Sequence, residues 1–409
     1  MRLIAAIAAS VSLLAACGGS TSSGSSAKSG DPIIFGSALS VTGQQAKEGA
    51  LTKQGYDLWL DWVNQRGGIE VKGVKHPVQI LYQDDQSKPD QSAILVQKLI
   101  TEQKAQYILG PYGSAASATD AVVAEKNGIP MVEANGAAQS IFSKGYKFTF
   151  AVLSPANKYL TGVIDMAATL NPKPTTLAML SADDNFSLEV AKAVVEYAPT
   201  KGINVVFNQK YPNGSTDLSG VLSQAKAKSP DILMNSGHLA EAIAINKSAK
   251  DLKLNAKIAA YSVGPSTPDF IQALGKDANY VYGGSQWTAQ VKYSPTFYLS
   301  VKDYVAAYQK KFGVTDDPDY HVAESTAACL AFQKALENAG SVDPAKVRDA
   351  LAALDVTTFA GVLKFDSRGV NIYKPMVVEQ IQNGKHFTVF PAEIANGKPS
   401  YPTPSWDSR

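Results

Sequence analysis

The chain has 409 residues, of which 45% are hydrophobic and only 18% charged, enough for two or three domains with substantial cores; this excludes a disordered or fibrous protein. Its 38 Lys+Arg against 36 Asp+Glu leave a formal charge of +2, so no strong field is available to hold nucleic acid. Two cysteines far apart, Cys17 and Cys329, are too few for a disulfide framework or a Cys-x-x-Cys metal site.

The first residues explain one of them. Arg2 precedes an apolar stretch, Leu3 to Ala16, that ends in small residues as a secretory signal does and is too short for a permanent membrane span. It closes on Leu14-Ala15-Ala16-Cys17-Gly18, which resembles the bacterial lipobox, where the cysteine is lipidated and the chain is cut before it. Residues 18–30 are almost all Gly, Ser, Thr and Ala and read as a flexible tether. The expected division is therefore a signal peptide over 1–16, a lipidated Cys17 with its tether over 17–30, and an extracytoplasmic folded part on a bacterial membrane, facing the cell surface or a periplasm. Cys329, in an apolar helix, is expected to be inert core.

From Pro32 short apolar runs alternate with amphipathic ones. Strands are predicted at 33–35, 78–82, 107–109, 129–132 and 148–152, with helices between them. One carries Leu51, Leu58, Trp59 and Val63 on a single face and stops at Arg66-Gly67-Gly68; another opens at Pro89. A second series follows: helices over 155–170, 187–198, 218–228 and 239–252, and strands at 176–180, 203–207, 231–234 and 257–261. A strand at 280–284 leads to helices over 294–312, 320–339 and 344–354. The chain ends β-rich at 361–365, 376–381 and 387–390, with Asn383-Gly384 as a hairpin turn. This order implies an α/β protein of two doubly wound parallel-sheet lobes. Three hinge crossings are expected, near 151–155, 283–287 and 361–366. One lobe would hold 31–152 with 286–361, the other 153–285 with 362–409.

Familiar enzyme signatures are missing. No two of the 31 glycines stand two residues apart, so the dinucleotide fingerprint is excluded, and neither a P-loop, H-E-x-x-H nor G-x-S-x-G occurs. No cofactor, metal or catalytic set is expected. What remains is strand ends opening onto helix starts, where open sheets bind ligands. Gly110-Pro111-Tyr112-Gly113-Ser114 places Ser114 at a helix N-cap, where it either caps its own helix or receives a carboxylate. Glu133-Ala134-Asn135-Gly136-Ala137-Ala138, after strand 129–132, either adds N–H donors from a second such edge or is an ordinary strand-to-helix turn. Asp84-Asp85 suits capping of the helix near Pro89, and Asp183-Asp184 occupies the mirror position. Trp287, after Gly283-Gly284 at a crossing, is a candidate aromatic wall. A hydrolase using Ser114 would need His238 or His321 as its base.

The lipobox and tether, Ile33 to Leu39 with Thr42-Gly43, Asn64-Gln65-Arg66-Gly67-Gly68-Ile69, Gln83-Asp84-Asp85, Gly110 to Ser114 and Gly128-Ile129-Pro130, in this order, resemble the Leu/Ile/Val-type solute-binding proteins of ABC importers. The resemblance spans essentially the whole mature chain. It implies the type I periplasmic binding protein fold, closing on an amino acid or related small carboxylate for delivery to an ABC permease. A lipid-anchored monomer without nucleic-acid partners is expected; a ligand-sensing receptor domain is the alternative. By position, Ser114 with Gly113 and Tyr112 matches the carboxylate grip, Asn135 and Ala137 the second carboxylate edge, and Phe186 and His238 the walls of lobe two. Ala137 stands where a Thr is common. The acidic partner of a ligand ammonium should follow strand 257–261, yet Ser262-Val263-Gly264-Pro265 stands there. Glu48, Glu133 or Asp183 would have to replace it, or the ligand is an aromatic or other carboxylate.

Overall fold

The computed structural model describes residues 29–409; the leader, Cys17 and all of the tether but Ser29 and Gly30 lie outside the described residues. In chain order the first half holds β1 (Ile33–Leu39), α1 (Ala46–Gln65), β2 (Ile69–Val71), β3 (Val74–His76), β4 (Val78–Asp84), α2 (Pro89–Thr101), β5 (Tyr107–Leu109), α3 (Ser114–Asn127), β6 (Met131–Glu133), α4 (Gln139–Phe142) and β7 (Thr149–Ala151). Then come α5 (Thr161–Ala167), β8 (Thr176–Ala182), α6 (Asn185–Tyr197), β9 (Asn204–Tyr211), α7 (Ser219–Lys226), β10 (Ile232–Ser236), α8 (Leu239–Asp251), β11 (Ile258–Tyr261), α9 (Pro268–Leu274) and β12 (Val281–Ser285). The remainder is α10 (Val301–Phe312), α11 (Tyr320–Ala339), α12 (Pro344–Ala352), β13 (Asp355–Thr358), β14 (Gly361–Lys364), β15 (Val377–Gln382) and β16 (Lys385–Phe390).

These form two large sheets. The first, β4-β1-β5-β6-β7, is parallel throughout. The second runs β16-β15-β12-β11-β10-β8-β9, parallel except for β15 and β16, which close it as an antiparallel edge. Both faces of each sheet are covered, as the unbroken apolar strands require. In β1, Phe35 and Leu39 join Trp59 of α1 and Phe332 of α11 on one side, while Ala38 joins Leu95 and Leu99 of α2 on the other. In β8, Leu177 and Met179 belong to the same large core as Val190 and Val194 of α6, and Ala178 and Leu180 to the core of α7 and α8. Cys329 is a free, fully buried thiol, as expected.

The chain passes between the sheets after β7, after β12 and after β14, and the three passages are stitched together. Gln286 Oε1 accepts from Ser154 N–H at 2.9 Å, Gln286 Nε2 donates to Ser154 C=O at 2.9 Å, and Ser154 Oγ donates to Lys374 C=O at 2.6 Å.

Several expected elements differ. The helix expected over 155–170 is one 3-10 turn at Ala156–Lys158 followed by α5, because Ala156 N–H is held by Ala137 C=O in the neighbouring lobe at 2.8 Å. The helix expected from 294 begins only at Val301. Pro295 offers no amide, Thr296 N–H bonds to Thr357 C=O at 2.9 Å, and Ser300 Oγ caps α10 by accepting from Asp303 N–H. The small β2–β3 hairpin and β13, which pairs with the expected strand β14, add to the expected set. Asp84 and Asp85 do not cap α2, whose N-cap is Lys88; they tie the loop after β1, accepting from Val41, Thr42, Gln86 and Ser87 N–H groups.

Candidate functional site

Beyond the ends of β5 and β6 the two loops stay side by side: Tyr112 and Asn135 form an isolated parallel bridge, and Gly113 N–H donates to Asn135 C=O at 3.3 Å. Gly113, at φ +86°, is the N-cap of α3, a conformation glycine adopts without strain. Ser114 is thus the first helical residue rather than the cap. Its hydroxyl oxygen accepts from Ala138 N–H at 3.0 Å, tying the two sheet edges together. No side chain caps α3, so its leading N–H groups and positive dipole end are left for an anion.

The second sheet supplies the facing wall. Asp184 caps α6 by accepting from Ser187 N–H at 2.9 Å, which sets Phe186 in the first turn, and Glu241 accepts from His238 N–H at 3.2 Å at the start of α8. Together Tyr112, Gly113, Ser114, Asn135, Phe186 and His238 line a narrow cavity between the lobes, completed by Tyr159, Val263, Tyr320 and His321. Six of the seven functional positions matched in the first lobe and at α6 and α8 meet here; Ala137 does not. It is buried in the core and its C=O serves Ala156 N–H. Trp287 is also absent from this cavity. It is 1% exposed, its indole N–H donates to Phe359 C=O at 3.0 Å, and it packs edge-on against Tyr304 and Phe359.

Contacts across the cavity hold the lobes together. Tyr112 OH lies 2.9 Å from His238 Nδ1, Glu48 Oε1 accepts from Leu239 N–H at 3.1 Å, and Lys47 pairs with Asp269 at 2.8 Å. The carboxylate of Glu189 accepts from Gln139 and Ser140 N–H groups at 2.6 and 3.0 Å. This is a closed arrangement.

The charges inside are specific. Burial alone would lower the pKa of His238, but the Asp184 carboxylate, 3.4 Å from Nε2, outweighs it with help from Glu241 and Glu48, and the imidazole is raised to about 9. Asp184 is correspondingly held below its usual range, burial opposing and His238 prevailing. An imidazolium donates from both nitrogens, so the Tyr112 oxygen accepts from Nδ1 and its own proton is free to donate.

Asn135 adds a second demand. Thr52 Oγ1 donates to Glu48 C=O at 3.0 Å and Ser325 Oγ to His321 C=O at 2.6 Å, so both hydroxyls have only acceptor capacity left. Asn135 Nδ2 donates to both, at 3.0 and 3.1 Å, which fixes the amide and leaves its buried Oδ1 without a partner.

None of the carboxylates considered as ammonium partners lines the cavity. Glu48 serves Leu239, with burial holding its pKa up; Glu133 is fully buried against Ser117; and Asp183 pairs with Lys210 on the outside. Neither histidine is hydrogen-bonded to Ser114: His238 engages Tyr112 and Asp184, and His321 Nδ1 engages Asp319. Tyr159, Tyr320 and His321 are wall residues that sequence order alone does not bring here; the only cue is that Tyr320-His321 opens a helix just behind Asp319, its cap.

Among the described residues no cluster is suited to a metal ion and no helix is long and apolar enough to cross a membrane. A family model described as periplasmic binding protein matches residues 32–385. Leu/Ile/Val-binding protein homolog 7 of Brucella abortus (strain 2308) is 24% identical over 382 residues, covering 89% of this chain and 92% of its own. Homolog 8 of the same strain is 25% identical over 386 residues, covering 90% and 92%. Among solved structures, the branched-chain amino acid transporter substrate binding protein LivJ from Streptococcus pneumoniae, in complex with isoleucine, aligns with TM-score 0.78 at 21% identity, over 88% of this chain and 100% of that one. An ABC transporter solute binding protein from R. palustris, in complex with benzoate, aligns with TM-score 0.75 at 16% identity, over 91% and 99%.

Proposed function

The chain belongs to the periplasmic binding protein family, a class of extracytoplasmic solute-binding proteins rather than enzymes, and from that premise we propose that its ligand is a small aromatic carboxylate carrying a hydrogen-bond donor. The carboxylate docks on the first N–H groups of α3, with the Ser114 and Tyr112 hydroxyls donating to it. The ring lies among Phe186, Tyr159 and Tyr320, and the donor meets Asn135 Oδ1. Closure excludes water and strengthens each of these contacts.

One observation carries this reading: none of the ten residues lining the cavity is acidic, while His238 in its wall is held as a cation. A ligand ammonium buried there without a counter-charge would cost several kcal/mol, whereas a ligand hydroxyl satisfies Asn135 without that penalty. The benzoate complex of the R. palustris relative is compatible with such a ligand, and the isoleucine complex of LivJ marks the competing one.

The lobes, divided as 31–152 with 286–361 and 153–285 with 362–409, open and close about the three stitched passages and present the closed form to an ABC permease. The chain acts as a monomer, held at the membrane by lipid on Cys17 after loss of residues 1–16. Calorimetric titration with 4-hydroxybenzoate, benzoate and leucine tests the ligand assignment. The expected order of affinity is as written, with Ser114→Ala weakening the best ligand by about 1–3 kcal/mol. Tightest binding of leucine, or unchanged affinity in Ser114→Ala, contradicts it.

A further inference from the structure

A larger hollow lies outside the cavity just described. It encloses about 1350 Å3, open to solvent, on the far side of Tyr320, which forms a wall of both. One side is the loop before α11, with Asp316, Asp317 and Asp319; the other is the second sheet, with Glu379 of β15. The loop and the second sheet thus face each other here through four carboxylates.

Little in the lining balances them. Lys385 and His386 are the basic groups in the lining, and His386 is kept uncharged: burial lowers its pKa, and its Nε2 is engaged with Pro265 C=O at 2.7 Å. Glu379 is 8% exposed and its Oε2 has no partner; Asp319 is 5% exposed and its Oδ2 has none either, its Oδ1 being taken by His321. Ser266 Oγ, in the same lining, is also unpartnered. Burial, then Asp319 and Asp317, raise the Glu379 carboxyl to about 8. Buried polar atoms are normally satisfied, so three that no protein group meets in one lining leave polar capacity for whatever fills the hollow.

The carboxylates are too dispersed for a metal ion, and no metal-holding group exists among the described residues. Pro268, Ile271 and Pro318 add apolar surface between them. We propose that this hollow is a second binding site, for an elongated organic cation of the diamine or polyamine class, whose ammonium groups pair with Glu379 and with Asp317 and Asp319 across the two lobes. The alkyl chain lies along the surface of Pro268, Ile271 and Pro318. Because the carboxylates come from both sides of the interlobe groove, a cation seated there joins the lobes without entering the ligand cavity.

The test is calorimetric titration of the full chain with 1,4-diaminobutane in low-salt buffer. One-to-one saturable binding is expected, weakened roughly tenfold or more by Glu379→Gln, since that substitution removes the carboxyl that gives up its proton as the ammonium pairs with it. Asp317→Asn, at an exposed position where folding is not at risk, should weaken it in the same direction, whereas Glu102→Gln, at a distant exposed carboxylate, should not. Absence of saturable binding overturns the proposal. So does equal affinity in wild type, Glu379→Gln and Asp317→Asn, which would mark diffuse attraction to surface charge. Binding of magnesium ion with the same dependence on Glu379 would make the site a metal site and overturn it as well.

Discussion

His238 shows how one side chain sets the character of the cleft. Its pKa stands at about 9 against an ordinary 6.5, so the folded state binds its proton more tightly than the unfolded chain does. The stability this confers is fully present below pH 6.5 and is lost as pH rises through about 9, an effect on the order of 3 kcal/mol for a group buried this completely. Urea denaturation across that range should show stability falling with rising pH in the wild type and a flatter profile in His238→Gln; identical slopes would show that His238 is not the group responsible. At this scale the sequence was informative where local order suffices. Tyr112, Gly113 and Ser114 follow a strand end directly, and Phe186 and His238 open helices in the second lobe. Tyr159 and His321 were not legible as walls, because they reach the cavity only through long-range packing of the hinge and of α11. Trp287 went the other way: its place beside a crossing is right, but the core around Tyr304 and Phe359 takes up its ring and its N–H.

Among the elements, the long amphipathic helices and the apolar strands could be read from periodicity, since each buries one stripe or both faces regardless of its partners. The short pieces could not. Three-residue β2 and β3 carry too few positions to show a period, and the segment before α10 is irregular because its hydrogen bonds go to β13, which no local pattern announces. The hinge depends on the same kind of distant pairing. Gln286, 1% exposed, acts as a substitute strand for Ser154, satisfying both its N–H and its C=O. Replacing it with Ala strands two buried backbone groups, so Gln286→Ala should lower unfolding free energy by on the order of 3 kcal/mol in urea titration. An unchanged midpoint would mean that water or another side chain takes over both bonds and that the stitch does not organise the hinge.

At the scale of the whole molecule, two sheets built on the same plan present their strand ends to each other, and the space between them becomes selective only when they meet. The α3 N-terminus and Ser114 come from one lobe; the His238–Asp184 pair and Phe186 come from the other, so neither lobe alone forms the proposed site. Ligand binding and closure are therefore one equilibrium, in which a ligand favours the closed form to the extent that it contacts both sides. The most direct measurement is a crystal structure of the chain with 4-hydroxybenzoate. The carboxylate is expected on the leading N–H groups of α3 beside Ser114 and Tyr112, with the ring against Phe186 and the phenol donating to Asn135 Oδ1. A carboxylate placed away from α3, or a ligand bound to one lobe with the cleft between them vacant, would contradict the account.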